Sequence, residues 1–87
     1  MASGSGYISE WIVEDVGGII HVCDGDHKVG RDVAFPFEEC SSDLQKILEK
    51  KSINEETDCP PPDGSLLVTF DFDIFDGDDL AVNVERA

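Results

Sequence analysis

Asp71 and Asp73 stand two positions apart in an apolar run, and the turn after it carries Asp76, Asp78 and Asp79. On a strand, alternate residues share a face and lie about 6.8 Å apart. Carboxylates held at that spacing offer two kinds of chemistry. They can surround a hard cation through oxygen. They can also imitate the phosphates of a nucleic acid and compete for the Lys and Arg that would neutralise it. Glu85, on the expected return strand, belongs to the same outer face. Asp24 and Asp26 sit on an earlier turn and extend the array if the two hairpin ends lie together. Phe75, an outward-facing aromatic beside the acidic turn, is a candidate anchor for a partner protein. The plainer alternative is a solvated sheet face whose charges block edge-to-edge aggregation.

The cation reading fails on spacing. The stretch DFDIFDGDD looks like an EF-hand loop, yet with Gly77 at the sixth position the first and third ligands become Phe72 and Ile74. The twelfth position falls on Asn83, where a Glu is needed. His21, Cys23 and His27 supply nitrogen and sulfur, and His21 and Cys23 share a strand face. A stable zinc site usually takes four ligands, and Cys40 and Cys59 would have to come from distant loops. Cys23 among apolar neighbours reads as a small buried hydrophobe. No metal and no cofactor is expected. A Cys–His nucleophile needs an activating base and an oxyanion site, and the chain has no G-x-S-x-G, no H-E-x-x-H and no Gly-rich phosphate loop. No catalytic residue is therefore assigned, and an enzyme is not expected.

The elements that must position these acids follow from periodicity. Residues 7–16 read as a strand, with Ile8, Ile12 and Val16 on one face and Trp11 in the core. Gly17-Gly18 supplies a two-residue hairpin turn. Residues 19–23 form the return strand, and 29–35 a weaker third one. Ser42 with Gln45 fits a capping box opening a helix that ends near Ser52. Its apolar stripe is Leu44, Ile47 and Leu48. Residues 54–64, with three consecutive prolines, form a stiff loop. Leu66, Val68, Phe70, Phe72 and Ile74 alternate with more polar residues, the pattern of a strand with one buried face. A hairpin through Asp76–Asp79 leads to Leu80, Val82 and Val84. The order β-β-β-α-β-β predicts an α+β domain: an antiparallel sheet with one helix packed on a face. Residues 1–6 are expected to be a flexible N-terminus, and 7–87 a single domain.

Twenty Asp and Glu against six Lys and Arg give a formal net charge of −14 in 87 residues. Solubility of a small domain needs only about 2–8. The excess is −4 over residues 1–35, −4 over 36–59 and −6 over 60–87, so it is no detachable tail. Such a body disfavours direct contact with nucleic acid or an anionic membrane and favours a basic partner. No apolar run approaches the roughly 20 residues of a membrane span, and no signal-peptide pattern opens the chain. An odd cysteine count without C-x-x-C suggests reduced thiols in a cytoplasm-like compartment, with a Cys40–Cys59 bridge as the alternative.

In length and charge the chain resembles the small acidic inhibitors of phages and mobile elements, the anti-restriction and anti-CRISPR proteins, over no alignable segment. That likeness implies an inhibitor seated in the nucleic-acid groove of a basic enzyme or effector complex, in the host cytoplasm if phage-encoded. The chain is also similar in size and charge to immunity proteins that neutralise toxin nucleases. A metal-binding or scaffolding module is the alternative of another class. Leu67 and Phe75 on the outer face mark a candidate homodimer surface.

Overall fold

A computed structural model describes residues 2–87, all but the side chain of Phe75. The elements are β1 (Ser3–Trp11), β2 (Gly17–Gly25), β3 (Asp32–Pro36), a 3-10 turn at Phe37–Glu39, α1 (Ser42–Leu48), β4 (Ile53–Asn54), β5 (Leu67–Phe75) and β6 (Asp78–Arg86). Alternation along β5 behaves as strand physics requires. Val68, Phe70 and Phe72 are buried, while Thr69 and Asp73 are exposed. Asp76 and Gly77 both take positive φ, 55° and 84°. That is the backbone a two-residue hairpin loop demands, so Phe75 pairs directly with Asp78.

The expected open sheet with a helix on its face is not what forms. β1 pairs with both β2 and β5, β5 pairs with β6, and β6 runs parallel to β3, which closes a five-stranded barrel. The physical reason lies in α1. It has seven residues, only Leu44 and Leu48 of which are buried, and at 1.5 Å per residue it is about 10 Å long. A helix that short cannot cover a sheet, so the sheet covers its own apolar face by curling shut. Ile8, Ile20, Val22, Val33, Phe35, Val68, Phe70, Phe72, Ala81 and Val84 join Leu44 and Leu48 in one core. The ring order first–second–third–fifth–fourth, with the helix between the third and fourth barrel strands, is the connectivity of an OB-type Greek-key barrel.

Several boundaries shift for local reasons. β1 begins at Ser3, so residues 3–6, expected to be a flexible end, pair with both neighbours. It ends at Trp11, which leaves Ile12 (67% exposed) and Val16 (84%) in the following turn rather than on a buried face. Gly17 and Gly18 lie in β2, opposite Pro36 and Phe35, and not in a turn. The ring of Phe35 occupies the space a side chain on Gly18 would need. Ile74, expected in the core, is 73% exposed near the hairpin tip. The helix cap is Ser41, whose hydroxyl accepts from the Leu44 N–H at 3.3 Å. Gln45 closes no capping box, because its amide donates to Phe37 O at 3.1 Å. The helix stops at Leu48, with Glu49 as its C-cap, well short of Ser52.

Candidate functional site

The register places Asp24, Ser5, Thr69 and Glu85 in one lateral row across β2, β1, β5 and β6. Adjacent strands are about 4.8 Å apart, so the two carboxylates flank a strip two hydroxyl-bearing residues wide. Asp26 and Asp71 stand beside this row. The Ser3 N–H donates to Asp26 Oδ2 at 2.9 Å, and Asn83 Nδ2 donates to Asp71 Oδ2 at 3.0 Å. These bonds orient the two side chains. Asp24, Asp26, Asp71 and Glu85 line a shallow cleft of about 410 Å³ floored partly by Phe70. Among the described residues, no Lys or Arg lines it.

The other acids expected in the array stand elsewhere. Asp78 and Asp79 line a second depression with Lys28, Asp32 and Leu80, where the lysine offsets part of their charge. Asp76 lies in the tip turn. Asp73 is exposed and accepts from the Ile74 N–H at 2.8 Å. The expected single row is thus two groups, divided because barrel curvature turns the hairpin tip toward β3. The side chain of Phe75 lies outside the described residues, and Leu67 is 46% exposed. The cations sit outside the cleft lining. Lys46 lies in the last turn of α1. Arg86 binds Asp43 at 3.0 Å with both side chains at least half exposed, a contact worth about 0.2–1 kcal/mol.

A second group lies on the outside of β1 and β2. Tyr7, Ser9 and His21 point away from the barrel core yet are 0%, 1% and 6% exposed. The segment 53–66 covers them as a strap. β4 pairs with Glu10 and Trp11, and the Glu55 N–H donates to Ser9 O at 2.8 Å. The Tyr7 hydroxyl donates to Glu56 O and accepts from the Asp58 N–H. A Cys23–Cys59 disulfide ties the strap down, with Cα atoms 5.6 Å apart. This corrects both cysteine expectations: Cys23 and Cys59 are bridged rather than reduced, and Cys59 does not pair with Cys40. His21 stacks obliquely on Tyr7, ring centroids 5.8 Å apart. Its Nδ1 lies 2.8 Å from Asp32 Oδ1.

Strand spacing puts His21 and Cys23 on one face, while Cys59 lies in a loop distant in sequence. The strap brings it in, so that a ring nitrogen of His21 and the sulfurs of Cys23 and Cys59 lie within 4.8 Å of one another. Nothing in local spacing signals this, since the approach depends on long-range anchors such as Tyr7 and β4. Cys40 is buried and is the free cysteine among the described residues. Burial, and then the charge of Glu39, push its thiol up to about 12. It is no nucleophile near neutral pH.

Set against known protein families, curated proteins and solved structures, the chain matches none. No helix is long and apolar enough to cross a membrane among the described residues.

Proposed function

We propose that the protein is a small acidic inhibitor that occupies the basic nucleic-acid groove of another protein by imitating the charge of DNA or RNA, in the manner of phage anti-restriction and anti-CRISPR proteins. The observation that carries this reading is the cleft in which Asp24, Asp26, Asp71 and Glu85 converge with no lining cation among the described residues. Asp24, Asp71 and Glu85 on paired strands, with Asp26 just beyond β2 held by the Ser3 N–H, form a stiff surface, so little conformational entropy is lost when Lys and Arg dock on it. Asp73, Asp76, Asp78 and Asp79 add long-range field that speeds encounter.

OB-type barrels commonly bind oligonucleotides through a positively charged groove with exposed aromatics. The charge here has the opposite sign, −14 overall, so the fold is read as a scaffold and not as a function. On this reading the partner is a basic nucleic-acid-binding enzyme or effector complex. The protein itself performs no catalysis and contacts neither nucleic acid nor membrane, and the Cys23–Cys59 bridge removes the thiol argument for a reducing compartment.

The test is affinity capture from lysate at about 50 and 500 mM salt, a range over which exposed charges become screened. The Asp24→Lys/Glu85→Lys variant serves as the control. Retention of a basic nucleic-acid enzyme by the parent at low salt, lost at high salt and lost in the variant, is the expected result. Equal retention by parent and variant removes the cleft from the account.

A further inference from the structure

We propose that His21, Cys23 and Cys59 form a redox-gated site for a thiophilic divalent cation such as zinc, open only when the Cys23–Cys59 bridge is reduced. A tetrahedral zinc ion with Zn–S near 2.3 Å and Zn–N near 2.0–2.1 Å needs its ligand atoms roughly 3.4–3.8 Å apart. The three donor atoms already lie within 4.8 Å of one another. Once the bridge opens, the sulfurs need to part by only about 1.7 Å, from an ordinary disulfide bond to that spacing. Their Cα atoms, 5.6 Å apart, hold them near it.

A second observation concerns His21. Asp32 Oδ1 sits 2.8 Å from Nδ1. A carboxylate there fixes the N–H on Nδ1, which leaves Nε2 with a lone pair to give. This carboxylate–histidine pairing is the usual outer support of a metal-ligating histidine. The ring is also held by Tyr7 and is buried, so its orientation is set before a cation arrives. Three protein ligands leave a fourth position for water. The Tyr7 and β4 anchors keep the strap in place without the disulfide, so Cys59 stays near Cys23 after reduction.

The gating step balances with a disulfide as oxidant. The two cation-bound thiolates give two electrons to an external disulfide such as oxidised glutathione. Its S–S bond breaks, it leaves as two thiols after taking two protons, the Cys23–Cys59 bond forms, and the cation is released. Each bridge formed frees one cation.

The experiment titrates reduced protein with Co²⁺ under anaerobic conditions. The expected result is one equivalent bound, with thiolate-to-cobalt charge-transfer bands and tetrahedral d–d bands. Binding should weaken about tenfold to a hundredfold in Asp32→Asn and stay unchanged in Cys40→Ser. Zinc should protect Cys23 and Cys59 of the unmutated reduced protein from iodoacetamide, a readout that does not depend on how any variant folds. Oxidised glutathione should then release one zinc per bridge formed, read with a chromophoric chelator. Absence of charge-transfer bands, equal binding by the oxidised protein, or unprotected thiols in the presence of zinc each overturns the proposal. The partner-capture result bears on none of these readouts, so the two proposals fail independently.

Discussion

The indole N–H of Trp11 donates a 2.7 Å hydrogen bond to the carbonyl oxygen of Leu48, in the buried interior. One side chain on β1 thereby satisfies a carbonyl that the end of α1 leaves without an intrahelical partner. The same ring stacks on Phe37, with centroids 5.4 Å apart. It fixes the helix against the barrel end.

Trp11→Phe keeps the aromatic contact but leaves the Leu48 carbonyl buried and unpaired. The loss expected is about 1–3 kcal/mol, measured as a shift in the urea midpoint at unchanged slope. A shift within error would mean that water replaces the indole.

Reducing the strap should cost more. The Cys23–Cys59 bridge closes a loop of sequence separation 36, and constraining a loop of that size in the unfolded chain contributes about 3–4 kcal/mol. Equilibrium unfolding of the parent and of Cys23→Ser/Cys59→Ser, both with a chelator present, measures the difference. Equal stability would show that the bridge removes little freedom from the unfolded chain.

Cys40 gives a signed prediction in alkali. Its folded-state value of about 12 exceeds the ordinary 9.0, so the folded state holds the thiol proton where the unfolded state has released it. The stabilisation is complete below pH 9 and is lost as pH rises toward 12. Cys40→Ala should therefore flatten the decline in stability over that window. At neutral pH a thiol-reactive dye should find no rapidly reacting thiol in the oxidised native protein and one after unfolding.

Self-repulsion gives the last prediction. With net charge −14, the thermal midpoint should rise between about 20 and 500 mM NaCl as like charges are screened. A gain of about 1 kcal/mol corresponds to roughly 4–8 °C for a domain of this size. Asp24→Asn/Glu85→Gln should raise the low-salt midpoint and shrink the salt response. A flat response would show that the acids are too well solvated to repel.

What could be read in the chain was local. Alternation along β5 placed Val68, Phe70 and Phe72 inside, the turn at Asp76-Gly77 was evident, and Leu44 and Leu48 marked the helix. Closure is not legible, because it rests on a short parallel seam, Ala34 with Leu80 and Cys40 with Val84, and on a first strand bent by bulges at Ser5/Gly6 and Ile8/Glu10. Glycines 17 and 18 suggested a turn by their freedom, but tertiary packing under Phe35 set their role. From the sequence, Asp24 and Asp26 join the acidic hairpin only if the two hairpin ends lie together. The barrel brings them to Asp71 and Glu85 while carrying Asp78 and Asp79 away.

The parallel contact that shuts the ring also sets how the chain must find its shape. β3 and β6 are separated by the helix, the strap and β5, so their meeting cannot be an early local event. The loop-closure entropy falls due before that contact gives anything back. Refolding is expected on the millisecond-to-second scale typical of non-local β topologies. Until closure, the edges of β3 and β6 stand unpaired, and the surplus of negative charge that weakens the finished barrel then keeps incomplete chains apart.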